Sequence, residues 1–91
     1  MPYIHQSERK LFEAGIDALP RIASPGQLNF ILCEILTKYI EDRGGLNYQH
    51  INDIVGVLEA AKLEFYRRVA VPYEDKKMSE NGDIRAFIVT T

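Results

Sequence analysis

The chain has few of the residues that would staple a small fold or carry it into a membrane. Its 91 residues include one cysteine, Cys33, and no tryptophan. A disulfide within the chain is therefore excluded, and a lone thiol in an apolar run is typical of a small buried side chain in a reducing compartment. Glu34 and Glu59 interrupt the longest apolar stretches, which argues against a membrane span. The start of the sequence is polar, unlike a signal peptide, so we expect a cytoplasmic protein of a cell or of an infected cell.

An excess of positive charge is also missing. Eleven lysines and arginines stand against 13 aspartates and glutamates, which gives a net charge of −2. This balance predicts that neither extended nucleic acid nor a membrane is a partner. A chain of this length buries only about 60–65% of the surface that its unfolded form exposes. We therefore expect a single domain over residues 1–91 with a thin core, and association into a homo-oligomer.

Hydrophobic spacing predicts an all-α fold of three helices. The first is expected at about residues 7–19, capped by Ser7 and followed by Pro20. The second is expected at about residues 25–43. Ser24 at its cap and Gln27 three residues later form a capping-box pattern, with a proline at the first helical position. The glycine pair after residue 43 supplies a left-handed exit from this helix.

The third predicted helix, about residues 48–71, is apolar nearly all round its middle. Asn47 is expected to cap it, and Pro72 is expected to end it. A helix of this kind is buried on two sides, so we expect a hairpin with the second helix and a further contact on the other side. The residues predicted to form an oligomer interface are Ile54, Val57, Leu58, Ala61 and Phe65.

The tail, residues 72–91, is expected to be extended, irregular or partly disordered. Residues 84–89 are β-branched and roughly alternate, which is typical of a short strand. A lone strand needs a partner, which the first residues of the chain or another copy would have to supply.

A specific series of motifs extends from Leu46 to Asp83. It reads LNY, IND, G-x-LE-x-AKLEFYRRV, PYEDKK and ENGD in chain order, and GQLNF from Gly26 forms a weaker stretch. The series resembles a family of short uncharacterised proteins from bacteriophages and bacteria, classed as a domain of unknown function. The resemblance implies a phage or prophage setting. It implies no activity, and so it assigns no catalytic residue.

Basic and aromatic residues are concentrated around the end of the third helix. Arginine grips phosphate through two parallel hydrogen bonds, and tyrosine offers a stacking surface to a base. We therefore predict a site for a small anionic ligand such as a nucleotide. In the alternative, the same arginines compensate the dipole at the end of the helix and pair with local acids. The acidic residues nearby rule out extended DNA as the ligand. The predicted ligand-binding residues are Lys62, Tyr66, Arg67, Arg68, Tyr73 and Lys76.

The sequence shows no pattern of a catalytic or metal site. His5 and His50 are not at ligand spacing from each other or from Cys33, and no nucleophile with a matched histidine is visible. We predict no cofactor and no metal, and we favour non-enzymatic binding over catalysis. Three functions stay open. The first is a non-catalytic phage-type binding protein that sequesters a nucleotide signal of host defence. The second is a protein–protein adaptor or inhibitor. The third is a small metal-dependent nucleotide hydrolase using Glu34, Asp53, Glu59 or Glu64.

Overall fold

The structure is a computed structural model that describes residues 4–88. As predicted, the fold is all-α, and residues 4–88 contain no strand. The described residues divide into two compact units, with the boundary between Tyr39 and Ile40. The elements in chain order are α1 (Gln6–Asp17), α2 (Pro25–Asp42), α3 (Tyr48–Phe65), a π-helical turn (Tyr66–Ala70), α4 (Val71–Asn81) and α5 (Arg85–Ile88).

Helix α1 begins before the predicted cap. His5 is extended, and its carbonyl accepts hydrogen bonds from the backbone N–H groups of Glu8 (2.9 Å) and Arg9 (3.2 Å). The prediction that Ser7 caps this helix is therefore wrong, because Ser7 already lies in the first turn. Its hydroxyl lies 3.1 Å from Nδ1 of His5 instead of capping a backbone N–H.

The start of α2 follows the predicted capping box. The backbone N–H of Gln27 donates to Oγ of Ser24 (3.1 Å), and Oε1 of Gln27 accepts from the N–H of Ala23 (2.6 Å). The first bond satisfies a backbone donor that the first turn of a helix leaves without an intrahelical partner, and the second satisfies the N–H of the residue before the cap. The return bond thus reaches one residue before the cap.

The connection from α2 to α3 is a tight turn that the predicted glycine pair makes possible. Gly44 and Gly45 have φ of 91° and 122°, a region that other residues rarely adopt. The N–H of Gly45 donates to the carbonyl of Ile40 (2.9 Å), and that of Gly44 to the carbonyl of Glu41 (3.1 Å). This nested pair is a Schellman motif, which satisfies the last carbonyls of α2.

Replacing Gly45 by alanine is expected to lower the free energy of unfolding by about 1–2 kcal/mol, because an L-residue is strained at this φ. Gly15→Ala is the matched control. Gly15 lies inside α1 with open space around it, so alanine there should raise the free energy of unfolding by about 1 kcal/mol. Urea denaturation at one fixed protein concentration measures both. Equal effects of the two substitutions would contradict the assigned turn.

Helix α3 does not end at Pro72. Residues 48–81 are continuously helical, and the π-helical turn joins α3 to α4. The N–H of Val71 donates to the carbonyl of Tyr66, five residues earlier. Inside a regular α-helix a proline lacks one hydrogen bond and clashes with the carbonyl four residues before it. The wider π-helical turn directly before Pro72 accommodates that ring, and so the predicted stop at Val71 is wrong.

The tail is helical where the sequence predicts an extended or irregular segment. Residues 72–81 belong to α4, which ends at Gly82 with φ of 82°. The predicted strand is replaced by α5, in which the N–H groups of Phe87 and Ile88 donate to the carbonyl of Ile84 (3.1 and 3.4 Å). A single helical turn satisfies its own backbone, whereas a lone strand needs a partner. The last predicted strand residue, Val89, lies outside the described residues.

Burial is sparse along the chain. No hydrophobic side chain in residues 4–88 is buried. Cys33, predicted to be buried, is exposed on α2, because no closed apolar core forms around it in the described part of the chain. His50 is buried, with 6% of its surface exposed. Its Nδ1 lies 2.6 Å from the carbonyl oxygen of Gly45, and its backbone N–H donates to Oδ1 of Asn47 (2.8 Å), which confirms the predicted cap.

Candidate functional site

Helix α3 carries the apolar residues predicted to form an interface. Ile54 and Leu58 are half-buried, whereas Ala61 is exposed. The other two side chains of this set, Val57 and Phe65, are 61% and 64% exposed. Large apolar side chains on α1 and α2, such as Leu11 and Phe30, are exposed to a similar extent. Exposed apolar surface of this kind is typical of a contact with another molecule. The assembly itself stays a prediction.

Two arginines predicted to bind an anion converge on one carboxylate. Nη2 of Arg67 lies 3.1 Å from Oε2 of Glu64, and Nη1 of Arg68 lies 3.0 Å from its Oε1. The carboxylate side chain is 19% exposed, but those of Arg67 and Arg68 are 73% and 58% exposed. Three charges therefore sum to +1, and both arginine side chains are more than half exposed. We call Lys62, Glu64, Tyr66, Arg67 and Arg68 the arginine cluster.

Of the two acids near the end of α3, Glu64 is the more buried and binds both arginines, whereas Glu59 is exposed. Glu59, which interrupts an apolar stretch of the sequence, has a side chain that is 59% exposed, and its Oε1 lies 3.7 Å from Nζ of Lys62. An exposed pair at this distance contributes little to stability. Glu64 precedes the two arginines by three and four residues. This helical spacing is the sequence signal for the two ion pairs.

Tyr66 is the first residue of the π-helical turn, and the next two residues of this turn are the arginines of the cluster. Tyr66 is 53% exposed. Short π-helical turns are frequent at functional sites, but Pro72 supplies a structural reason for this one. The turn thus fixes where Tyr66, Arg67 and Arg68 lie without by itself indicating a ligand.

Tyr73 and Lys76 lie on α4, apart from the arginine cluster in the sequence and in their surroundings. The Nζ of Lys77 lies 5.5 Å from the centroid of the Tyr73 ring, a cation–π contact, and 3.6 Å from Oε2 of Glu80. Tyr73 is 61% exposed, and Lys76 is also exposed. The structure therefore brings Arg67 and Arg68 together on Glu64, whereas Lys62 pairs with Glu59 and Tyr66 opens the π-helical turn. Tyr73 and Lys76 lie on the following helix.

A groove lies at the end of α4, where the Gly82 turn leads into α5. It has a volume of about 440 Å³, within the range of small-ligand sites. We call it the C-terminal groove. It is lined by Tyr73, Glu74, Asp75, Lys77, Met78, Asn81, Gly82, Asp83, Ile84 and Phe87.

Comparison with known families gives one match. The model of the family described as Domain of unknown function (DUF6899) matches residues 1–84, which is most of the chain. The chain belongs to this family. No curated protein matches it, and no solved structure does.

The DUF6899 match ends at residue 84 and so includes the whole arginine cluster but excludes α5. The motifs that carry the resemblance, from Leu46 to Asp83, lie inside the match. Phe87, which lines one end of the C-terminal groove, lies outside it. The arginine cluster is thus built from residues that this chain aligns with its family, whereas the groove is completed by residues beyond the match.

Two further geometric findings concern the described residues of this DUF6899 chain. No group of three or more histidine, cysteine, aspartate or glutamate side chains in residues 4–88 is placed to hold a metal ion. Asp53, one of the acids considered for that role, accepts a hydrogen bond from Nε2 of Gln49 (2.7 Å). No helix in the same range has both the length and the apolar character needed to cross a bilayer.

Proposed function

We propose that the chain is a non-catalytic, phage-associated binding protein that assembles with further copies through α3 and holds a small anionic ligand at the arginine cluster. The observation that carries the proposal is the exposure of α3. Val57, Leu63 and Phe65 are 58–64% exposed along a helix in a chain whose described residues bury no hydrophobic side chain.

Association of copies follows from the size of the hydrophobic term. Fully burying one valine, leucine or phenylalanine side chain contributes about 1.5–3 kcal/mol, so covering these partly exposed side chains on both copies works against an association cost of roughly 4 kcal/mol or more. The net charge of −2 leaves little repulsion between two copies. A homo-oligomer is therefore the assembly that α3 supports best.

The anionic ligand is supported by the way Glu64 holds two arginines. Glu64 accepts a hydrogen bond from each guanidinium, and a guanidinium carries five N–H groups. The side chain of Arg67, which is 73% exposed, suits the oxygens of a phosphate group, as does the ammonium of Lys62. Tyr66, at the start of the same turn, offers a surface on which a base would stack. We infer a nucleotide-type ligand on these grounds.

The setting comes from the resemblance to phage and bacterial proteins. A small binding protein without catalytic groups acts by lowering the free concentration of its ligand, and in an infected host cytoplasm the ligand would be a nucleotide signal of host defence. This role rests on analogy with the family setting and on the arginine cluster together.

The nucleotide proposal is tested by isothermal titration calorimetry with a panel of linear and cyclic nucleotides. We expect heat from at least one of them. Arg67→Gln should weaken that binding by about 10- to 100-fold, because a charge-assisted hydrogen bond contributes about 1.5–3 kcal/mol. Arg21→Gln, an exposed arginine between α1 and α2, is the control and should leave the affinity unchanged. Absence of heat from every nucleotide at micromolar protein would remove the ligand from the proposal.

The adaptor function is the second candidate, and the C-terminal groove is the observation that favours it. The metal-dependent hydrolase has less support, because residues 4–88 bring no set of three ligand side chains together. Incubation of nucleotides with the protein and Mg²⁺ or Mn²⁺ tests it directly, and turnover would favour it over both binding functions.

A further inference from the structure

We propose that the C-terminal groove is a docking site for a peptide segment of another protein, one that carries lysine or arginine next to large apolar side chains. This site is separate from the arginine cluster. It shares none of its residues, and the proposed ligands have opposite charge.

The groove is lined by large apolar side chains that are substantially exposed to solvent. Tyr73 and Phe87 are each 61% exposed, Ile84 is 58% exposed and Met78 is 41% exposed. Methionine and aromatic residues are frequent at peptide-binding surfaces, because they adapt to side chains of different shape. Aliphatic or aromatic side chains of a bound peptide would remove this surface from water.

The charges around the groove favour a cationic partner. Glu74, Asp75 and Asp83 line it, against the single ammonium of Lys77. That ammonium already lies 5.5 Å from the Tyr73 ring centroid and 3.6 Å from Oε2 of Glu80. No lysine or arginine in the described part of the chain forms an ion pair with Glu74 or Asp75. Complementary charge of this kind sets the choice of partner and the rate of encounter.

The same charges argue against a phosphate-bearing ligand here. Three carboxylates and one engaged lysine would repel a nucleotide, even though Tyr73 offers a ring for stacking. All the lining residues are exposed, so a small molecule in the groove would keep much of its own surface in water. A peptide can contact the protein surface beyond the groove and so bury more of its own surface than a small molecule can. An open groove therefore suits a peptide better.

Fluorescence anisotropy with two labelled synthetic peptides tests the proposal on the full chain. One peptide alternates leucine with lysine, and the other has glutamate at every lysine position. We expect the lysine peptide to bind at least about ten-fold more tightly, since like charges at an interface discriminate strongly against the glutamate peptide. Equal binding of the two peptides, or no binding of either, would overturn the proposal.

A pair of double variants locates the binding. Glu74→Gln with Asp75→Asn should weaken binding of the lysine peptide about ten-fold, as two exposed ion pairs of about 0.5–1 kcal/mol each are lost. Glu8→Gln with Glu13→Gln removes the same charge from α1 and should leave binding unchanged. If both double variants weaken binding equally, the attraction is to the whole protein and no docking site exists at the groove.

Two cross-measurements separate this proposal from the nucleotide proposal. Arg67→Gln should leave binding of the lysine peptide unchanged, because Arg67 does not line the groove. The Glu74→Gln and Asp75→Asn double variant should leave nucleotide binding within about two-fold, since exposed charges at a distance are screened by salt. Loss of peptide binding in the Arg67 variant would contradict the groove as the docking site.

Discussion

Phe65→Glu is expected to convert the assembled protein into monomers. The change should raise the dissociation constant of the assembly at least about 100-fold, because burying an unpaired carboxylate costs several kcal/mol and the apolar contact is lost as well. Phe65 is 64% exposed at the end of α3, so glutamate there is compatible with a folded monomer in water. The predicted interface of α3 therefore depends on this side chain more than on the half-buried ones.

Sedimentation velocity over a range of concentrations measures this effect. Phe12→Glu is the matched control, since Phe12 is 62% exposed on α1 and lies outside the predicted interface. We expect the control to keep the mass of the unsubstituted assembly. An unsubstituted protein that sediments as a monomer at tens of micromolar would contradict self-association. Dissociation caused only by Phe12→Glu would move the interface to α1.

His50→Ala is expected to lower the free energy of unfolding by about 2–3 kcal/mol. A carbonyl oxygen only accepts hydrogen bonds, so the Nδ1 that lies 2.6 Å from the Gly45 carbonyl carries a proton and donates it. The bond ties the first turn of α3 to the turn that ends α2. Alanine would leave the Gly45 carbonyl without this donor and remove a side chain that is only 6% exposed.

Gln49→Ala is the control for the histidine substitution. Gln49 precedes His50 in α3, is exposed, and donates to Oδ1 of Asp53 (2.7 Å) on the helix surface. Its loss should change the free energy of unfolding by less than about 0.5 kcal/mol. Urea denaturation monitored by circular dichroism compares the two at equal protein concentration. A histidine variant as stable as the glutamine variant would show that the Gly45 bond contributes nothing.

The local signals in the sequence predict the helix ends well. The bonds at Ser24, Gln27 and Asn47, and the left-handed glycines at 44 and 45, are found as expected. Each depends on residues at most five apart, so no knowledge of distant contacts is needed. Ser7 does not cap α1 because the helix already begins at Gln6, and the His5 carbonyl accepts the first helical hydrogen bonds.

Features that depend on a less common backbone geometry were not predictable in this way. Pro72 ordinarily signals the end of a helix, and only the π-helical turn before it lets the helix continue. The tail residues have a strand-like pattern, but α5 forms because its hydrogen bonds need no partner. The exposure of Cys33 likewise depends on packing, which an apolar run alone does not report.

The part of the candidate site that depends on helical spacing was predictable from the sequence. Arg67 and Arg68 share Glu64 because all three lie on adjacent turns, which spacing alone indicates. The surroundings of Tyr73 depend on the turn at Gly82 and on α5, which brings Phe87 to the groove. The sequence therefore grouped Tyr73 with the arginines, although it lies beside three acids.

The π-helical turn also fixes the angle between the two proposed binding surfaces. In an uninterrupted α-helix, Tyr66 and Tyr73 are seven residues apart and would point in nearly the same direction. The additional residue in the Tyr66–Ala70 turn rotates everything after it by roughly 100° about the helix axis. The two tyrosines thus diverge, and a nucleotide and a peptide would approach from different sides. Deleting one residue from this turn would leave the two tyrosines six residues apart in a regular α-helix, a rotation of roughly 600°, so they would still face different sides of it.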